Sequence, residues 1–196
     1  MSEKRIAEIN RKTTESQISI SLDLDGTGKY NVDSSVPFLD HMLSLFAKHS
    51  NFDLNLQARG DIHIDFHHTV EDIGICMGKA IDRCLENKKG ICRYGNSITP
   101  MDEALVLIAV DISGRAFLAY DVEFSSMQVG NFDIELVEEF LQAFAQNARI
   151  TLHVKKIAGR NCHHIIEAIF KGLGRSLNQA TKLGQQNEIP STKGIL

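Results

Sequence analysis

The sequence predicts an α+β protein made of two similar halves, each a sheet with helices on one face. The first reason is a repeated motif, because residues 67–71 read HHTVE, residues 163–167 read HHIIE, and both open an amphipathic pattern. The second reason is that the order strands, helix, strand, helix occurs twice. The halves are predicted at 1–90 and 91–182, followed by a polar tail at 183–196 that closes on the site. Because each half is small for a solitary core, we expect one integrated domain.

The elements of the first half follow from the spacing of apolar residues. An alternating strand is predicted from Gln17 to Asp23, and a helix from Phe38, where apolar residues recur three and four positions apart. A second alternating strand covers residues 52–56, and a second amphipathic helix begins at the first motif. Gly90 is expected to end that helix region.

The second half repeats this order. Strands are predicted at 104–111 and 115–122, and a helix begins near Leu136. An alternating strand follows at 150–154, and the second motif opens the last helix. Asp65 and Asn161, each two residues before a histidine pair, are candidate helix caps.

Composition narrows the class of protein. The 196 residues are 43% hydrophobic, with 21 basic and 25 acidic residues and no block of like charge, so neither a nucleic acid nor a membrane surface is an expected partner. No apolar run approaches the roughly 18 residues that span a bilayer. The four cysteines form no CxxC pair, and three share an eight-residue spacing that predicts buried thiols in a reducing compartment. We expect a cytoplasmic location, with a plastid as the alternative if a transit peptide has been removed.

One motif near the start suggests a different chemistry. Residues 23–27, DLDGT, resemble the nucleophile loop of haloacid-dehalogenase-type phosphatases. The preceding strand argues against that function, because its apolar residues alternate with polar ones, whereas a buried parallel strand is continuously apolar. Gly26 and Gly28 are expected to form a hairpin turn.

The two histidine motifs predict two metal sites. Residues four apart lie on one helix face, so the first histidine and the glutamate of each motif can hold one cation together. The second histidine points about a third of a turn away and suits the neighbouring site. The upstream helices add one group each. The predicted grouping is His67, Glu71, His164 and Glu139 around one ion, and His163, Glu167, His68 and His41 around the other.

The ligand types narrow the choice of metal. Imidazole and carboxylate groups with octahedral coordination favour manganese or iron over a closed tetrahedral zinc site. A single histidine pair is most often a cap or a surface feature, and the repeated glutamate spacing is what favours metal binding.

Three basic positions could hold an anion. Arg93 follows the predicted end of a helix, Arg115 follows a turn, and the tail carries Ser191 and Lys193. Guanidinium and hydroxyl groups are the usual means of binding phosphate. By composition alone each is most often a solvated charge.

Several strings resemble one family. They are FLDHML at 38–43, DFHHTVEDIGI at 65–75, PMDEAL at 100–105 and NCHHIIEAIFK at 161–171. All resemble imidazoleglycerol-phosphate dehydratases, and the resemblance runs from RKTTES at the start of the chain to PSTKG near its end.

The resemblance implies a ribosomal-protein-S5-domain-2-like fold and a carbon–oxygen lyase of histidine biosynthesis with two Mn²⁺ ions per active site. It also implies self-association into a twenty-four-subunit assembly with shared sites. By position it implies the same eight ligands, although many members have His where this chain has Glu139. Glu15 resembles the substrate-contacting glutamate of the family. The phosphate-binding residues of the family correspond to Arg93, Arg115, Ser191 and Lys193. Asp102 and Glu103 also match, as turn or fold residues by default.

The implied reaction removes water from D-erythro-imidazoleglycerol phosphate, a phosphate ester, through imidazolate and diazafulvene intermediates to imidazole acetol phosphate. Glu15 is the expected proton shuttle, and Glu167 or a metal-bound water competes for that role. Two alternatives stay open. A dinuclear metal hydrolase would use the same ligands to activate water, and a non-enzymatic metal-binding shell would not need the basic positions.

Overall fold

A computed structural model describes residues 4–184 and 188–196. The first half contains β1 (Ile6–Lys12), β2 (Ser16–Asp23), β3 (Tyr30–Asp33), α1 (Pro37–Ser50), β4 (Asp53–Gly60) and α2 (His67–Leu85). The second half contains β5 (Tyr94–Met101), β6 (Ala104–Asp111), β7 (Phe117–Asp121), β8 (Gln128–Val129), β9 (Phe132–Asp133), α3 (Glu135–Ala148), β10 (Thr151–Ala158) and α4 (Cys162–Thr181). A small β8–β9 hairpin distinguishes the second half from the first.

The two main sheets have the same topology. Their strand orders are β1-β2-β4-β3 and β5-β6-β10-β7, and the strand at the last edge is parallel to its neighbour in both. Alternate residues of β2 are buried, so this sheet packs one face inward and exposes the other. The predicted α+β fold of two similar halves is therefore confirmed.

The loop after β2 differs from the prediction. Because β3 pairs with β4 in parallel and not with β2, the chain crosses over and the predicted hairpin turn at Gly26 and Gly28 is wrong. The Asp53 carboxylate instead fixes the loop by accepting the backbone N–H groups of Thr27 at 2.7 Å and Lys29 at 2.9 Å. A Cβ at Gly26 would lie 2.4 Å from the Asp53 nitrogen, which explains the glycine there.

The four helices lie between the two sheets. Helix α2 packs on β1 and β2 of its own sheet, and α4 packs on β5 and β6 of the other. The helices also pair across the halves, α1 with α4 and α2 with α3. This pairing brings residues from different halves to one place.

Two glycines allow the backbones of the paired helices to approach each other closely. A Cβ at Gly78 would lie 2.5 Å from the Phe144 carbonyl oxygen, and a Cβ at Gly174 would lie 2.6 Å from that of Phe46. Each glycine follows the first histidine of its motif by eleven residues. The two crossings are therefore equivalent, as expected for duplicated halves.

A Gly78→Ala substitution tests this crossing. At an unhindered helical position alanine stabilises by about 1 kcal/mol over glycine. Here the methyl group would strike the α3 backbone, so we expect the free energy of unfolding to fall by about 1–3 kcal/mol. Urea titration followed by circular dichroism measures the change. Gly184→Ala is the control, since the nearest atom to its Cβ among the described residues would lie 3.6 Å away. Equal stability of the two variants would contradict the steric argument.

The tail runs beside the start of the second half. The Gly90 N–H donates to the Glu188 carbonyl at 2.9 Å, and an Arg93 guanidinium N–H donates to the Pro190 carbonyl at 2.8 Å. The backbone of Leu196 lies next to Gly114. The described part of the tail is thus attached to the end of the molecule that carries the predicted anion-binding residues.

The cysteines are free thiols. Cys76, Cys84 and Cys162 are buried, whereas Cys92 is exposed, so the prediction of buried thiols is wrong for Cys92. Burial raises the pKa of Cys76 to about 11 and that of Cys84 to about 12. Among the described helices, none combines the length and apolar character needed to cross a bilayer.

Candidate active site

Three side chains from different halves meet between α1 and α4. The Nε2 atoms of His41 and His163 lie 3.2 Å and 3.0 Å from the same oxygen of Glu167. One ligand atom from each side chain lies within 4.8 Å of the other two. These are three of the four residues assigned to one ion, and α4 presents two of them because they are four positions apart.

Glu167 is ionised in this cluster. It is 8% exposed, and its second oxygen accepts a hydrogen bond from the Lys171 ammonium at 2.5 Å. Burial raises the pKa of Glu167, but the hydrogen bonds from Lys171, His41 and His163 together outweigh burial and lower the pKa to about 2. The deprotonated carboxylate is therefore available as a cation ligand.

The start of α4 is held by a side-chain cap. The side-chain oxygen Oδ1 of Asn161 accepts the backbone N–H groups of His163 at 3.0 Å and His164 at 3.4 Å. At the start of α2, the Asp65 carboxylate accepts the backbone N–H of His67 at 2.8 Å. Both histidine pairs thus begin from a fixed backbone.

The second histidine of each pair faces a carboxylate through Nδ1. His68 lies 3.0 Å from Asp61, and His164 lies 2.7 Å from Glu103. The hydrogen bond with Asp61 raises the pKa of His68, and the hydrogen bond with Glu103 raises that of His164. The same bond, with backbone N–H groups, lowers the pKa of Glu103 to about 2.

The other assigned ligands do not converge to the same degree. Within residues 4–184 and 188–196, the His41 cluster is the one set of three or more potential ligands that meets this closely. His67 and Glu71 lie on α2 and Glu139 lies on α3, the helices that pack at Gly78. They occupy places equivalent to those of His163, Glu167 and His41 in the duplicated fold.

Glu15 lies close to the first histidine pair, at the start of α2. It occupies the turn between β1 and β2, its carbonyl accepts the Asp61 N–H at 3.0 Å, and its charge contributes to the raised pKa of His68. Its side chain is exposed and accessible from outside the chain.

The predicted anion-binding residues lie at the opposite end of α4. The Arg93 N–H donates to the Ala180 carbonyl at 2.8 Å, and Ala180 follows His163 by seventeen residues, about 25 Å along a helix. The Arg93 guanidinium pairs with Asp111 at 2.7 Å. Arg115 is exposed nearby, and its guanidinium makes a 3.4 Å contact with the Ser113 carbonyl.

Comparison with known proteins decides the family. A family model described as imidazoleglycerol-phosphate dehydratase matches residues 34–177. The chain belongs to the imidazoleglycerol-phosphate dehydratase family. An imidazoleglycerol-phosphate dehydratase from Desulforudis audaxviator is 57% identical over 192 residues, covering 98% of both chains. One from Acetivibrio thermocellus is 55% identical over 190 residues, covering 96% of this chain and 97% of the relative.

Solved structures agree in fold. The crystal structure of imidazoleglycerol-phosphate dehydratase from Staphylococcus aureus has a TM-score of 0.83 at 43% identity, covering 91% of this chain and 99% of that one. A crystal structure of the Pyrococcus furiosus protein has a TM-score of 0.84 at 38% identity, covering 96% and 100%. As a member of the imidazoleglycerol-phosphate dehydratase family, the chain is a carbon–oxygen lyase of the hydro-lyase type.

Sequence reasoning missed three residues that contact the candidate ligands. Asp61 carried no signal in the spacing of the motifs, and Glu103 was expected to be a turn or fold residue. The Glu103 contact joins residues 61 positions apart, and Lys171 matters through its contact with Glu167 one helical turn away. Only the Lys171 contact follows from helical periodicity.

Proposed function

We propose that the chain removes water from D-erythro-imidazoleglycerol phosphate to give imidazole acetol phosphate in histidine biosynthesis. The cluster of His41, His163 and Glu167, in a chain of this family, is the observation that carries the proposal. A cytoplasmic location is part of the proposal, supported by three buried thiols that form no disulfide with one another.

Two Mn²⁺ ions per active site are part of the proposal, and the His41 cluster supports one of them. Both imidazole Nε2 atoms lie within hydrogen-bond distance of one ionised carboxylate oxygen, and imidazole with carboxylate is a donor set that manganese accepts. We assign His163, Glu167, His41 and His68 to one ion, and His67, Glu71, Glu139 and His164 to the other. Bound Mn²⁺ would supply Lewis acidity at the imidazole nitrogens of the substrate.

The chain's own carboxylates are proposed to move the protons. The imidazolate form of the substrate expels the side-chain hydroxyl to give a diazafulvene, and loss of a carbon-bound proton then gives an enol that tautomerises to the ketone. Glu15 is favoured as the group that takes and returns protons, because its carboxylate is exposed at the His68 end. Glu167 is less suited, since one of its oxygens faces His41 and His163 and the other accepts from Lys171.

Complete sites are proposed to form between chains. The metal cluster and Arg93 lie at opposite ends of α4, too far apart for one small substrate to contact both in a single chain. The family resemblance implies a twenty-four-subunit assembly. In it, the histidine end of one copy, which is the start of α4 with the His41 cluster, would meet the basic end of another copy. The basic end, with Arg93, Arg115, Ser191 and Lys193, would bind the phosphate group.

The proposal is tested by supplying imidazoleglycerol phosphate and MnCl₂ to the purified protein and measuring imidazole acetol phosphate. Turnover that disappears after EDTA treatment and returns with Mn²⁺ is the expected result. Metal binding without turnover would overturn the dehydratase assignment and favour a hydrolase or a metal-binding shell.

A Lys193→Ala variant tests the proposed phosphate-binding site. Loss of one charge-assisted hydrogen bond of about 1.5–3 kcal/mol should raise KM by roughly 10–100-fold, because the phosphate is remote from the reacting carbon. Steady-state kinetics provide KM, with Lys48→Ala, an exposed lysine on α1, as the control. An unchanged KM would remove Lys193 from the phosphate site.

A further inference from the structure

The second histidine of each pair is held through Nδ1 by a carboxylate of another element. Resting on the metal sites proposed above, we propose that Asp61 and Glu103 are positioning residues for His68 and His164. Each accepts the Nδ1–H of its histidine and so leaves Nε2 as the nitrogen that can bind a metal. A carboxylate behind a ligating imidazole fixes both its tautomer and its orientation.

The two carboxylates come from positions that the duplication does not relate. Asp61 follows the end of β4, and the residue that follows the end of β10 is Gly159. Glu103 precedes β6, and the residue that precedes β2 is Glu15. Equivalent histidines therefore receive the same contact from non-equivalent places, which a turn residue inherited by duplication would not explain.

Glu103 is itself held firmly. Its Oε1 atom accepts the backbone N–H groups of Asn161 at 2.7 Å and Arg160 at 3.2 Å, while Oε2 faces His164. Because Asn161 also caps α4, one carboxylate links the β5–β6 turn, the helix start and the imidazole. This arrangement limits rotation of the His164 ring.

The Asp61 carboxylate faces His68 with one of its two oxygens. Its side chain is 15% exposed, Oδ2 lies 3.0 Å from His68, and Oδ1 is buried without a hydrogen-bond partner in the part of the chain that the structure describes. A buried carboxylate oxygen without a partner is costly. The His68 contact is the interaction that can offset this cost.

In the first half, Asp61 and not the turn glutamate Glu15 contacts the second histidine of the pair. Because Asp61 already accepts the hydrogen bond from His68, Glu15 is not needed for that contact. The Glu15 carboxylate makes no hydrogen bond to any described residue. The second half uses the equivalent glutamate, Glu103, to orient a histidine. The duplicated turns thus have different tasks, and Glu15 remains free for the proton transfer proposed above.

The test measures Mn²⁺ affinity by the electron paramagnetic resonance signal of free Mn²⁺ in titrations of the full-length protein. Asp61→Ala and Glu103→Ala should each weaken Mn²⁺ binding by roughly 10–100-fold. Asp61→Asn keeps an oxygen that can accept the Nδ1–H, so it should recover most of the affinity. Glu8→Ala, an exposed glutamate on β1, is the control.

A purely structural role predicts a different pattern, in which thermal unfolding shifts while the Mn²⁺ affinity of the folded protein is unchanged. Wild-type affinity in both alanine variants would overturn the positioning role. No recovery in Asp61→Asn would also overturn it, since the hydrogen bond would then not be what matters. If the wild-type protein itself binds no Mn²⁺, the proposed metal site fails instead.

Discussion

Glu167→Gln is expected to lower kcat/KM by roughly 10²–10⁴-fold, because losing this ligand removes much of the several kcal/mol that a bound metal supplies to the transition state. One oxygen of Glu167 faces both His41 and His163, and the other accepts from Lys171. A neutral amide is a weaker cation ligand and leaves the ammonium of Lys171 without its carboxylate. Steady-state kinetics at several Mn²⁺ concentrations measure the loss.

Two controls separate this effect from misfolding. Glu123→Gln changes an exposed glutamate outside the cluster and should retain wild-type turnover. Circular dichroism should show that Glu167→Gln is folded at the assay temperature. Turnover of the Glu167 variant within threefold of wild type would remove this residue from the reaction.

Mixing two impaired variants should restore activity. If each site combines the histidine end of one copy with the basic end of another, Glu167→Gln and Arg115→Ala chains assembled together will form some sites with both groups intact. At equal amounts, about one quarter of the sites should be complete, because each end is drawn independently from the two variants. Arg115 suits this test because it is exposed and its guanidinium makes a single long hydrogen bond within the described residues, whereas Arg93 is paired with Asp111.

The measurement is turnover after the two variants are dissociated, mixed and reassembled, compared with each variant alone. A mixture of Glu167→Gln with His163→Ala is the matched control, because both residues lie on the same helix of one chain and no mixing can rebuild that cluster. Failure of the first mixture to exceed the control would place the whole site within one chain.

Local periodicity explains the parts of the site that could be predicted. His163 and Glu167 meet because they are one helical turn apart, and Asn161 caps their helix because its side chain reaches the first free N–H groups. The repeated order of elements likewise predicted two similar halves, each a sheet with helices on one face, which the two sheets of the structure bear out.

Other features depend on the path of the chain between elements. The crossover after β2 was predicted as a hairpin because glycine-rich turns look alike in sequence, and only the pairing of β3 with β4 distinguishes them. The separation of Arg93 from the histidines along α4 was equally absent from the residue pattern.

By itself, the sequence determined the duplicated α+β architecture, the pairs of histidine and glutamate on the helices, and the family, because these rest on spacings within single elements. The tertiary structure decided that His41 contacts Glu167, which is 126 residues away in the sequence. It also decided that Asp61 contacts His68 and that Glu103 contacts His164. The physical reason is that helix pairing across the halves depends on close backbone packing at Gly78 and Gly174. Contacts of that kind arise from the packing of whole elements and leave no period in the chain.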